Sequence, residues 1–231
     1  MLRTLAFLLV ATPFSHAEPS SSPGRGGIDT KARAIDGVFG SVAFPMHSAP
    51  PAKRWASLLP SITTLDFGAC PADSGCGMLR GSISSLHEAA ISEKLDTVNR
   101  AVNRVLRYQE DSVNYGQMDY WATPEEIIGR GRGDCEDYAI LKMAALKVAG
   151  VPMGDMSVVV LRDAPRNVHH AVLAVRTRGG YAILDSLNNE VRADGAVHTY
   201  EPLYSLASDG MWIHGFRQPA VKQASFATAG N

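Results

Sequence analysis

The chain has 231 residues, a formal charge of −1 and 45 % hydrophobic residues. That composition fits one ordinary globular domain with a short extra segment. The near-balance of 22 basic and 23 acidic residues, without a long charge run, argues against a nucleic-acid-binding class.

The first stretch, MLRTLAFLLVATPFSHA, reads as a secretory signal peptide over residues 1–17. Arg3 supplies the positive start, Leu5 to Ala11 the short apolar core, and Ser15-His16-Ala17 a small-x-small cleavage site. The apolar run is far shorter than the ~20 residues a membrane span needs, and no other segment is long enough. The expectation is an exported, periplasmic protein without a transmembrane segment. Residues 18–52 are rich in Pro, Gly, Ser and Ala and lack a sustained apolar period, so they read as a flexible lead-in. The expected organisation is a lead-in and Cys-containing loop over 18–80, the main domain over 81–218, and a tail over 219–231.

Export makes the three cysteines informative. Cys70 and Cys76 lie close together in FGACPADSGCGML and can close a small disulfide ring. A zinc site is less favoured there, because four clustered ligands are missing. Cys135 is left over, and an unpaired cysteine in an exported chain is either a packing residue or a chemical one.

From residue 83, SISSLHEAAISEKLDTVNRAVNRVLRY places Leu86, Ala90, Leu95, Val98, Val102 and Leu106 at mainly helical spacing, with a break near Ser92. After the loop QEDSVNYGQMDYWA, the run Thr123-Pro124-Glu125-Glu126 predicts a helix start: Thr as N-cap, Pro at N1, Glu at N3. Residues 135–149 are apolar on nearly every side, which predicts a buried helix ended by Gly150 and Pro152. The period then changes. MSVVVL, HHAVLAV and YAILDSL are short β-branched runs, and RTRGG at 176–180 is a hairpin connection between the last two. Helices followed by strands predict an α+β fold in which a central helix carrying the cysteine packs on an antiparallel β-sheet. Trp121 and Trp212 are expected as core anchors.

A helix that starts at Cys135 aims its backbone N–H groups and positive dipole end at the thiol, which favours a thiolate. A thiolate nucleophile needs a base, and the base needs an orienting group. His170 and Asp185 are the candidates. Pairing 176 with 181 gives a register sum of 357, which sets His170 opposite Leu187 with Asp185 as its diagonal neighbour on one face. A sum of 355 sets the two directly opposite, and an even sum separates them onto different faces. His169 competes, but on a strand only one of the pair can face Asp185 and the helix.

Around the thiol stand Asp134, Glu136 and Asp137, whose charge opposes its ionisation. They either cap the helix N-terminus or turn away from the thiol to hold a hard cation such as Ca²⁺. Chemistry alone favours capping.

The blocks NYGQMDYWATPEE, GRGDCEDYAILK, HHAVLAV, AILDSLNNEVR and YSLASDGMW, across residues 83–216, together resemble the bacterial transglutaminase-like cysteine proteinases, of which the LapG-type periplasmic proteases are one branch. The resemblance implies a papain- or transglutaminase-like fold with Cys135 as nucleophile, His170 as general base and then acid, and Asp185 as the residue orienting the imidazole. It also implies Ca²⁺ bound beside the active-site turn by Asp134 and Glu136, with Asp137 unassigned. The implied substrate is a large surface adhesin cut after paired alanines, which releases cells from a biofilm. An inner-membrane cyclic-di-GMP receptor is the implied regulatory partner. Ser186 departs from the family's usual Asn after the aspartate. Two rival readings stand beside this one. One is an amidase or transglutaminase acting on cell-wall peptides; the other is a catalytically idle periplasmic binding module.

Overall fold

The computed structural model describes residues 34–68 and 70–216. The expected signal peptide, most of the lead-in's first half and the expected tail lie outside them. Along the described chain run strands β1 (Ile35–Asp36) and β2 (Val42–Met46), then helices α1 (Pro50–Thr64), α2 (Gly75–Ile83) and α3 (Ile91–Val105). Strand β3 (Arg107–Tyr108), short α4 (Asp111–Asn114), α5 (Pro124–Arg130) and β4 (Arg132–Gly133) lead into the central helix α6 (Cys135–Val148). Six strands follow: β5 (Met156–Asp163), β6 (Val168–Thr177), β7 (Gly180–Asp185), β8 (Asn188–Ala193), β9 (Tyr200–Ala207) and β10 (Gly210–Gly215).

The main sheet has eight strands in the order β1-β2-β10-β9-β5-β6-β7-β8, each pair antiparallel. This is the expected α+β arrangement. The β6–β7 hairpin has the expected sum of 357, seen in the pairs Leu173–Leu184 and Arg176–Tyr181. One further pair, Thr177–Gly180, tightens the connection to the two residues Arg178 and Gly179.

Alternation sorts the core. Val158, Ala171, Leu173, Val175 and Leu184 join one apolar cluster with the helices, while Val159, Leu161, Val172, Ala174 and Ile183 form a second on the far face. A sheet covered on both faces reads as continuous hydrophobic runs, which is what MSVVVL and AVLAV are. Helix α6 is buried from Tyr138 through Leu146, with Ile140, Leu141, Met143 and Leu146 fully enclosed. Each such side chain contributes about 1.5–3 kcal/mol on burial, so α6 is fixed by packing rather than by propensity.

Two expectations change. The helix drawn from residue 83 is helical only beyond its expected break near Ser92: α2 ends at Ile83, turns carry residues 84–90, and α3 begins at Ile91. Leu86 is buried from the turn, so its helical spacing to Leu95 is fortuitous. The Pro- and Gly-rich stretch, read as a flexible lead-in, is by residue 42 part of the sheet, where β2 pairs with β10 along Met46–Met211 to Val42–Gly215. Strands this short carry too little periodicity to stand out among turn residues. A disulfide joins Cys70, in the loop before α2, to Cys76 in the first turn of α2, and leaves Cys135 as the free cysteine. No helix among the described residues is long and apolar enough to cross a membrane.

Candidate active site

Thr123 caps α5 as its sequence predicts: its hydroxyl accepts from the Glu126 amide, and the Glu126 carboxylate accepts from the Thr123 amide at 2.9 Å. Gly131 ends α5 in the left-handed conformation, φ 62°, which favours glycine. The short β4 then delivers the chain to Cys135 at the first turn of α6. Gly133 is required there for another reason: a Cβ on it would lie 2.2 Å from Asp137 Oδ2.

Cys135 and His170 line one cleft of about 800 Å³, together with Trp121, Tyr204, His169 and Ser186. His170 Nε2 lies 2.8 Å from Asp185 Oδ1, and both side chains are buried. Asp185 is held on every side: Oδ1 also accepts from the Leu187 amide at 3.0 Å, and Oδ2 accepts from the Tyr200 hydroxyl at 2.7 Å. The Tyr200 ring stands edge-on to the imidazole, with centroids 5.8 Å apart. Burial by itself would raise the Asp185 carboxyl. The His170 bond and charge, the Leu187 amide and the Tyr200 hydroxyl outweigh it and bring the group to about 2. Asp185 is therefore a carboxylate at any working pH.

One expected orientation differs. His170 shares its side of β6 with Val172 and Ala174, so with Asp185 and Tyr200 it belongs to the face away from α6. It shares a cleft with the cysteine, at the end of the sheet where β6 begins. Exposed His169 takes the other side of the strand and also borders the cleft.

The thiol's surroundings are acidic. Burial first, then the charges of Glu136 and Asp134, push the Cys135 thiol well above its ordinary value, while the Ala171 backbone amide pulls the other way. Cys135 Sγ also lies 3.3 Å from Glu136 Oε2. Asp134 occupies the N-cap position of α6 but makes no capping hydrogen bond with its side chain. Plain capping, favoured on chemistry alone, does not account for it.

The acids instead gather into one basin. Single oxygens of Asp111, Asp119 and Glu136 lie within 4.8 Å of one another; so do those of Asp111, Asp134 and Asp137. Buried Asp111 Oδ1, Asp134 Oδ1 and both Asp137 oxygens lack a hydrogen-bond partner. The Asp134 and Ala122 amides still lie near enough to favour the charged form of Asp137. Burial dominates for each carboxyl, and repulsion among them adds to it: Asp111 rises to about 6, Asp137 to about 8, and Asp134 rises further. Orphaned carboxylate oxygens converging at this spacing form an all-oxygen, hard-cation donor set. Asp134 and Glu136 were legible from the motif. Asp111 and Asp119 were not, because they arrive from the start of α4 and from the loop after it, 15 or more residues upstream, with no spacing signature. Tyr200 was missed for the same reason: nothing local marks a tyrosine that reaches a carboxylate across strands.

This is the α+β, transglutaminase-like class of fold, with a free cysteine at the N-terminus of the central helix and a His–Asp pair on the sheet. The chain belongs to the bacterial transglutaminase-like cysteine proteinases: the model of that family matches residues 71–214. It is accordingly a cysteine peptidase. Solved structures of Legionella pneumophila LapG are similar to it. One is 29 % identical, covers 67 % of this chain and 87 % of that chain, and has a TM-score of 0.56. The EGTA-treated form is 28 % identical over 70 % and 88 %, with a TM-score of 0.58. The calcium-bound form is 26 % identical over 74 % and 93 %, with a TM-score of 0.56. No curated protein matches the chain.

Proposed function

We propose that this protein is an exported, periplasmic, calcium-dependent cysteine endopeptidase that works through Cys135, His170 and Asp185. The observation that carries the reading is that His170, paired with buried Asp185, lines the same cleft as the unpaired cysteine at the α6 N-terminus. His170 takes the thiol proton as Cys135 attacks the scissile carbonyl, and returns it to the leaving amine. Asp185, tethered by Leu187 and Tyr200, fixes the imidazole tautomer and stabilises the imidazolium. Water then releases the acyl-enzyme. The Cys135 backbone N–H serves as one oxyanion donor.

Calcium is the cation the basin suits, held by Asp134, Glu136 and Asp137 with Asp111 and Asp119 across from them. Bound there, it would neutralise the acids that oppose the thiolate and tie the α4–α5 loop to α6. The calcium-bound form of Legionella LapG supports this assignment. A large surface adhesin as substrate, cut to regulate biofilm attachment, and a cyclic-di-GMP receptor as regulator follow from the LapG-type motif blocks.

The test is the rate of Cys135 alkylation against pH, with calcium and with a chelator, using Cys135→Ala as blank. The expected result is a thiol reacting well below the free value of about 8.5 with calcium present and losing that reactivity with the chelator. A thiol inert at every pH in both conditions removes the endopeptidase reading. Reactivity indifferent to the chelator removes calcium and leaves the triad.

A further inference from the structure

Arg166 has no part in the chemistry above, yet it lines the cleft on the His170 side. Its Nε donates to Asp163 Oδ2 at 2.6 Å, and that carboxylate is buried while the arginine side chain is 45 % exposed. One edge of the guanidinium is thus pinned to the protein. The two terminal nitrogens have no partner among the described residues. The turn that carries Arg166 is itself pinned: the Ala164 amide donates to Thr199 O at 3.1 Å, the Asn167 amide to Ala164 O at 3.3 Å, and Arg162 Nη2 to Asn167 Oδ1 at 2.8 Å. A planar fork held this way is organised in advance for a carboxylate.

The cleft divides by charge. Glu110, Asp119, Asp134 and Glu136 stand on the helix side, and Arg166 is the cation on the β6 side. Ser186 also lines the cleft, and its hydroxyl is buried without a hydrogen-bond partner. Direction follows from the chemistry. His170 must protonate the leaving amine, so the wall beyond it meets the substrate on the C-terminal side of the scissile bond.

The geometry points to Arg166 as a specificity residue that binds an Asp or Glu side chain within the first few residues after the cut; this rests on the endopeptidase reading. It places acidic segments, rather than basic ones, among the preferred substrates.

An N-terminally blocked tryptic digest of a bacterial proteome is treated with the wild-type protein and with Arg166→Gln, and the new termini are read by mass spectrometry. Internally quenched peptides with Asp, Asn or Lys at the first three positions after the bond then give kcat and KM. The expected result is acid enrichment at one of those positions and a preference for Asp over Asn of roughly tenfold or more, carried by KM. Arg166→Gln abolishes that preference without slowing the Asn peptide, and Arg166→Glu turns it toward Lys. A wild type indifferent to charge, or a preference that survives Arg166→Gln, overturns the assignment. So does preference confined to peptides whose free C-terminal carboxylate falls there and lost in their amides. If wild type cuts nothing while Cys135 still alkylates, the endopeptidase reading fails and this inference falls with it.

Discussion

Tyr200 shows how much of a catalytic pair can depend on a residue outside it. Its hydroxyl satisfies the oxygen of Asp185 that His170 does not use, and its ring walls the imidazole. Tyr200→Phe keeps the ring and deletes the donor, leaving a buried carboxylate oxygen short of a partner at a cost of about 1–3 kcal/mol. The expected outcome is a lower kcat with KM nearly unchanged, checked by steady-state kinetics beside a denaturation curve. Cys135→Ala and His170→Ala are expected to abolish turnover with the fold retained, His170→Ala melting lower because it leaves buried Asp185 without its imidazole partner; full activity in either would remove the triad. At the same scale Asp185 gives a pH dependence of stability. Its folded value of about 2 lies below the usual 3.8, so the unfolded chain takes the proton first. The contribution is complete above the usual value and is lost as pH falls toward about 2, where unfolding should steepen.

At the scale of the element, α6 carries both the nucleophile and an anomaly. Lys142 is fully buried seven residues after Cys135, its ammonium has no hydrogen-bond partner, and its nearest ring is Tyr138 at 5.8 Å. Burial pulls it down to about 7 from its usual 10.5, with the Asp185 charge pulling weakly the other way. Between those values the unfolded chain binds the extra proton, so stability rises with pH across the window, and the whole penalty applies below it. Lys142→Met keeps the volume and drops the charge. Denaturation at neutral pH should find it more stable by about 1–4 kcal/mol, with the rise toward alkaline pH flattened relative to wild type. The start of the same helix is tight: Gly133→Ala drives a methyl into Asp137 and should weaken calcium binding measured by calorimetry.

At the scale of the whole molecule, a cation in the acidic basin would join α4, the loop before α5 and α6. Calcium at about 100 times its Kd should raise stability by about 2.7 kcal/mol, and Asp137→Asn should lose most of that gain. The N-terminal part of the described chain reaches the site from the other side. Phe39 packs edge-on against Tyr200 with centroids 5.8 Å apart, and its amide donates to Asp194 at 3.0 Å. Deleting residues through 46 removes this contact and uncovers the edge of β10, so it should lower both the melting temperature and kcat; equal activity would show that the clasp is only a cover.

Much was legible locally. The Thr123 capping box, the all-apolar 135–149 helix, the hairpin sum of 357 and the candidate pair His170 and Asp185 each follow from residues a few positions apart, where period and turn chemistry act directly. The chain by itself determined the α+β order, the unpaired cysteine at a helix start and the acids beside it. Only the tertiary structure decided what those acids do. The basin needs Asp111 and Asp119 brought from another segment, the carboxylate needs Tyr200 from a non-adjacent strand, and Arg166 acquires a role only from the cleft it borders. Such contacts join residues distant in sequence, and burial and desolvation, which set their charge and reach, exist only once the core has closed.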